Sequence, residues 1–459
     1  MNSVRKREEA VSLRKVFGGL PRHLLLGTAV GVLSLASPAQ AGEAEVIMKL
    51  LLQKGIITKA EYAEVMGELA ATPGLAEKLR QQEAKIDELA KQQQGQAVPA
   101  DKSLTPAAEA VAQAVGGLHL AGGVTMIAQG TSGNDRAVDG DVTDGSYSAD
   151  LELSAPVAEN GLAFLHIEGG EGNGIEGDEL TSFWGVNGDA GDSSARLEFT
   201  EAWYEHRFLE DALTLTVGKL DLTKYFDGNA AANDETTQFL ANGFVNSVAV
   251  EFPSNSAGAR LTVSPSELLD LSVAWQSGDG DWEDLGDNSF YMAEVAFKPA
   301  VGDLKGNYRF YGWTNQTDHS KIIDDGDATY AGWGAGISFD QQLSQAVTAF
   351  VRAGYQDEDI YDFDVAWSAG LALAGSLWGR EKDEIGLAYG MAMLSDDYET
   401  DRRDNGINPD DEGHLELYYR YTVNDYLAIT PDLQVMTNAG GDGDYGTVWL
   451  GAVRGQLSF

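Results

Sequence analysis

The residues of this chain that could do chemistry are its acids and arginines, and many recur at two-residue spacing. Asp150 and Glu152, Glu294, Arg309, Arg352, and Glu416 with Arg420 each sit on one side of a segment whose other side is apolar. That alternation is the pattern of a strand with one wet face. The same assignment sends Glu168, Arg196, Glu198, Arg260 and Arg454 to the wet face. Arginines and carboxylates mixed with Tyr311, Phe350 and Tyr418 can hydrogen-bond hydroxyl groups and offer flat apolar surfaces to sugar rings. They can equally do no more than pair with one another and wet an interior.

Other chemistry finds little support. The sequence has no HExxH and no GxSxG, and it contains no cysteine, so no thiol nucleophile or thiolate site exists. His119, His166, His206, His319 and His414 are scattered, with no pair at i, i+3 or i, i+4. Residues 172–177 read G-N-G-I-E-G, a formal GxGxxG, but lie in an acidic stretch without strand-turn-helix context. The expectation is therefore no enzyme and no cofactor. Acidic loops at 139–141 and 279–283 could hold divalent cations through oxygen ligands, although a solvated loop of like charges explains them as well. A net charge of −41 excludes a nucleic-acid partner, which needs a basic footprint.

The elements that must position these groups change character along the chain. Residues 1–41 read as a secretory signal peptide, with six basic residues, an apolar run at 24–35 and Ala39-Gln40-Ala41 before the cut. Residues 42–95 carry helical spacing, and Leu75, Leu79, Gln82, Ile86, Leu89 and Gln93 form a short heptad seam. This predicts a periplasmic helical or coiled-coil segment, with a single solvated helix as the alternative. Residues 96–117 form a linker.

From 118 to 459 two-residue alternation takes over, in stretches of the length that crosses a bilayer at a tilt. Short connections alternate with long Asp-, Gly- and Asn-rich ones. That asymmetry predicts an all-β fold, an antiparallel transmembrane barrel of the bacterial outer membrane, in contact with lipid and lipopolysaccharide. Trp203, Trp275, Tyr291, Phe297, Tyr308, Trp313, Trp333, Tyr355, Trp367, Tyr389, Tyr421 and Trp449 are expected at the interfacial girdles. A first count gives about seventeen strands, but both ends of such a barrel lie on one side, so the number is even. The long loops share one rim only if residues 244–252 are not wall. About sixteen strands remain, and 221–252 becomes a long excursion folded into the lumen. The chain ends on an alternating strand closed by Phe459.

Residues 217–247 contain G-K-L-D at 218–221, Y-F-D at 225–227, N-D-E-T-T-Q-F at 233–239 and N-S at 246–247. With E-A-W-Y-E at 201–205 and G-A-R-L-T-V-S-P at 258–265, this stretch resembles the OprB-like carbohydrate-selective porins. The resemblance implies a sixteen-stranded barrel, often trimeric, that passes sugars by diffusion through a lumen narrowed by the segment after Asp221. The N-terminal helices lie outside it, and the acidity of the chain departs from what a channel for neutral sugars suggests.

The expected constriction sets Lys219, Asp221, Asp234 and Glu235 against Arg196, Arg260, Arg309 and Arg352, a field across the pore. Glu198, Glu416 and Arg420 complete the expected lining. Two alternatives remain open: a general cation-preferring porin, and a barrel whose periplasmic helices tether the outer membrane.

Overall fold

The computed structural model describes residues 117–134, 140–175, 179–190, 197–280, 282–323, 326 and 328–459. The signal peptide, the helical segment, nearly all of the linker and Arg196 lie outside the described residues.

Alternating segments become strands because each can bury one face and leave the other apolar. They are β1 (His119–Ser132), β2 (Thr143–Ala158), β3 (Gly161–Glu171), β4 (Leu197–Phe208), β5 (Leu213–Leu220), β6 (Ser256–Ser266), β7 (Leu269–Ser277) and β8 (Ser289–Phe297). After them come β9 (Ala300–Val301), β10 (Leu304–His319), β11 (Tyr330–Ser344), β12 (Val347–Gln356), β13 (Phe363–Ala374), β14 (Glu384–Leu394), β15 (Glu412–Thr422), β16 (Leu427–Thr437) and β17 (Val448–Ser458). The strand β9 is a two-residue clip on β10, and β8 pairs directly with β10 beyond it. Sixteen strands therefore make the wall.

The wall closes. β1 pairs antiparallel with β2 on one side and with β17 on the other, from Gly123 opposite Ser458 to Ser132 opposite Trp449. Phe459 completes the seam by exchanging two backbone hydrogen bonds of 3.0 Å with Gly122. Closure leaves no unpaired edge, the condition for strands in hydrocarbon. Among the described residues no helix is long and apolar enough to cross a membrane.

Short connections (after β2, β4, β6, β11 and β15) and long ones (after β1, β3, β5, β7, β10, β14 and β16) fall on opposite rims. Residues 244–252 are not wall: 242–245 form a four-residue helix, α1 (Asn242–Val245), and 246–255 carry no strand. The outward rows are apolar and exposed, among them Val273, Val295, Phe310, Val351, Leu387, Leu417, Ile429 and Val453. A belt of this kind is stable against lipid and a liability in water.

Trp333, Tyr355, Tyr389 and Trp449 stand on the outer surface, as expected. Two aromatics expected there do not. Trp313 is buried inside and donates from Nε1 to the Ala249 carbonyl at 3.0 Å. Trp203 packs against the same interior cluster and donates to Glu201 at 3.0 Å. Both share the row of inward charged neighbours, Arg309 and Glu201 respectively, and strand parity outweighs the tendency of Trp for interfaces.

Candidate functional site

The stretch after β5 turns inward because Asp221 stops the strand. Its carboxylate accepts from Thr223 N at 3.0 Å and Thr223 Oγ1 at 2.6 Å, capping a single 3-10 turn at Leu222–Lys224. A second acid organises the far bend: Asp234 accepts from the backbone N–H and hydroxyl groups of Thr236 and Thr237. The apolar residues around these two bends pack against inward side chains of the wall. Leu220, Leu222 and Phe226 meet Phe290, Met292, Tyr311 and Trp313, while Phe239 and Phe244 meet Phe350 and Tyr418. Burying Leu222, Phe226, Phe239 and Phe244 stabilises the docked loop by roughly 1.5–3 kcal/mol each.

Several inward charges of the wall, Glu294, Arg352, Glu416 and Arg454, bind that loop rather than a solute. Arg352 is fully buried. It donates to the carbonyls of Phe244 (2.6 Å), Asp227 (2.9 Å) and Ala232 (2.7 Å), and its Nε lies 3.1 Å from Asp227 Oδ2. Asp227 also accepts from Ser247 N at 2.7 Å. Glu416 accepts from Leu240 N at 2.5 Å and Ala241 N at 3.0 Å. Arg454 donates to the carbonyls of Glu235 and Gln238. Arg309 pairs with Glu294 at 2.8 Å, and Glu294 in turn accepts from Asp227 N.

A second loop also folds inward, and the sequence reading missed it. Within the stretch between β3 and β4, Ile175, Leu180, Trp184 and Val186 are buried. Glu412 holds this loop through Ser182 Oγ (2.6 Å) and Phe183 N (3.1 Å), and Gln129 and Gln434 both donate to the Val186 carbonyl. The two loops clasp each other: Gly188 N donates to Leu240 O at 2.7 Å, and Gly243 N to Trp184 O at 2.8 Å. Trp184 lies between Gly243 and Gly390, where any Cβ would collide with its ring. The signal that could have found this loop is its apolar content, since Trp and Val serve no purpose in a solvated acidic loop.

What remains open is a polar cavity of about 470 Å³ between the loops and β1–β4. From the wall it is lined by Asp150, Glu152, His166, Glu168 and Thr200, and from the loops by Asp189, Asp221, Lys224, Asp234 and Glu235. Its cations are Lys224, whose Nζ is paired with Glu201, and His166, whose Nε2 lies 2.9 Å from Asp150 Oδ1. Burial lifts the carboxyl of Asp221 above its ordinary range and that of Glu235 to about 7.

The expected field across the pore is therefore not the arrangement found. Asp221, Asp234 and Glu235 do line the cavity, but carboxylates face them, not arginines. Arg260 sits at 3.2 Å from Glu205 and 4.1 Å over the Tyr225 ring, Arg309 pairs with Glu294, and Arg352 holds the loop. Lys219 stands opposite Ala202 in the register and shares the outward row of Val217, because Thr216 and Leu220 take the inward positions. Glu198 is exposed opposite Glu168, Glu416 is spent on the loop backbone, and Arg420 pairs in register with Glu384. Tyr311, Phe350 and Tyr418, the aromatic surfaces expected for sugar rings, are buried in the loop clusters.

A closed sixteen-stranded barrel with an apolar belt, long loops on one rim and loops folded into its interior is an outer-membrane porin, a channel and not an enzyme. The chain belongs to the carbohydrate-selective porin, OprB family, whose description matches residues 136–459. It is similar to a protein of Aquifex aeolicus (27% identity over 219 residues, 48% of this chain and 58% of that one). It is also similar to Porin AaxA of Chlamydia abortus (21% over 289 residues, 60% of each) and to Porin B of Pseudomonas aeruginosa (25% over 201 residues, 36% of this chain and 44% of that one). The matches thus span about half the length of these relatives. In fold it is similar to the high-pH structure of Pseudomonas putida OprB, with a TM-score of 0.65 at 18% identity, covering 75% of this chain and 94% of that one.

Proposed function

We propose that the chain is a passive diffusion channel for small hydrophilic solutes whose narrow part, beside the 221–252 loop, favours cations over anions. The observation that carries this is the cavity lining, in which seven acidic side chains stand around Lys224 and His166. At roughly 7 Å in water each ionised carboxylate raises a monovalent anion by about 0.6 kcal/mol, so three acting together bias entry about twentyfold before salt screens them. Weak contacts spread along such a lining let a solute enter and leave.

Carbohydrates are the second reading, supported by the family description and by the hydrogen-bonding side chains of the lining. Neutral sugars meet carboxylates as hydroxyl donors and are not repelled. The barrel would sit in outer-membrane lipid beside lipopolysaccharide as a homotrimer, with residues 42–95 periplasmic. Liposome swelling with sugars of graded size, run beside charged and neutral non-sugar solutes of equal size, tests both readings. Cationic solutes passing faster than anionic ones is expected. Equal rates for the two overturn the cation preference, and sugars passing no faster than other neutral solutes end the carbohydrate reading.

A further inference from the structure

We propose that the cavity wall carries a binding site for a first-row divalent metal ion, built from Asp150, His166 and Glu168. The register places Asp150 of β2 directly opposite Glu168 of β3, with His166 two residues along the same inward row. Side chains directly opposite across antiparallel strands start about 5 Å apart at Cβ, and i, i+2 neighbours share a face. One ligand atom from each of the three residues lies within 4.8 Å of the other two. Donors around an ion bound at about 2.0–2.2 Å stand roughly 3–3.5 Å from each other, so small side-chain rotations close the set.

The imidazole is aimed. Its Nδ1 faces Glu201 Oε1 at 3.6 Å, and Glu201 is itself buried and held by Trp203 Nε1 and Lys224 Nζ. A carboxylate behind one ring nitrogen is the arrangement that orients metal-binding histidines, with the other nitrogen ligating once its proton is displaced. That other nitrogen, Nε2, points at Asp150 in the cavity. An ion bound there takes the place of the proton shared by Nε2 and Asp150. One nitrogen and two carboxylates select zinc, nickel or copper over calcium and magnesium, which prefer all-oxygen sites. The open cavity side leaves positions for water or for a donor on a passing solute. Glu152 and Asp189 add negative charge nearby, and Lys224, turned onto Glu201, is the opposing cation.

An ion at this point removes negative charge from the passage, so zinc should lower cation current. That consequence rests on the channel reading, whereas binding itself does not. The experiment is zinc titration of the purified full chain in detergent, with millimolar calcium and magnesium present, followed by bilayer conductance with and without zinc. One zinc per chain is expected, with affinity falling at least tenfold in His166→Ala and in both Asp150→Asn and Glu168→Gln. Zinc should cut the current of the parent channel and leave that of the variants unchanged. No binding, binding unchanged in all three variants, or displacement by calcium at equal concentration each overturn the site. Zinc bound without a change in current overturns only the block. A chain that carries no current even without zinc counts against the channel reading and leaves the binding result standing.

Discussion

Two parts of the inner wall carry the same kind of residue and use it in opposite ways. On β12, β15 and β17, Arg352, Glu412, Glu416 and Arg454 are at most 1% exposed and hold loop backbone. On β2 and β3, Asp150, Glu152 and Glu168 are half-buried and line the cavity. An inward charge is thus either a clamp or a lining, and the difference is whether a loop lies on it. Clamps set whether the lumen is narrow, and linings set what the narrow part prefers.

The largest effect that can break this division is at Arg352. Arg352→Met leaves Asp227 buried and unpaired and three loop carbonyls without their donor, a cost of about 3–5 kcal/mol to the docked loop. Single-channel current should rise and become noisy, and protease should cut within 221–252, while the barrel still migrates as folded on unheated gels. Glu416→Ala removes the acceptor of Leu240 and Ala241 N–H, at about 1–3 kcal/mol for each orphaned group. The same two assays should move less.

Substitutions in the lining should do the reverse. Asp150→Asn with Glu168→Gln should lower the cation-to-anion permeability ratio severalfold with no gain in protease cutting. If it instead releases the loop, the two classes are not distinct. Glu235 sharpens the point because it belongs to the loop and not to a spanning strand. Its carboxyl is lifted to about 7 by burial, so it is ionised above that pH and takes up a proton as pH falls through it. Cation preference should therefore weaken between pH 8 and 6, and the docked loop should be favoured on the acid side, where the buried acid is neutral. Glu235→Gln should flatten that step in reversal potential. The smallest effect is expected at Lys382, which meets Asp425 in an exposed pair on the short-turn rim. Exposed pairs contribute little, so Lys382→Ala should leave melting temperature and conductance unchanged.

Much of this architecture was legible because alternation, loop length and parity are local. The sixteen-strand wall, with 244–252 outside it, follows from counting, the inward course of 221–252 from its length and from the family resemblance, and the structure agrees. The clamps were legible as inward residues but not as clamps, because alternation says which face a side chain takes and nothing about what lies against it. Arg352 and Glu168 look alike in sequence, and only the docking of Phe239, Phe244 and their neighbours separates them. The 179–190 loop was hidden by its acidic setting, although Leu180, Trp184 and Val186 within it are the mark of a segment that must be buried. Residue type alone puts Trp313 at an interface, whereas the row it shares with Arg309 and Tyr311 puts it inside.

The central claim is that the lining of the narrow passage is acidic while the inward arginines are spent on loop backbone and on carboxylates of the wall. The reversal potential of the channel in a planar bilayer under a tenfold potassium chloride gradient tests it most directly. The account predicts a potential of the sign set by potassium, reduced in Asp150→Asn with Glu168→Gln. A potential set by chloride, or one that is zero in the parent channel, would contradict it.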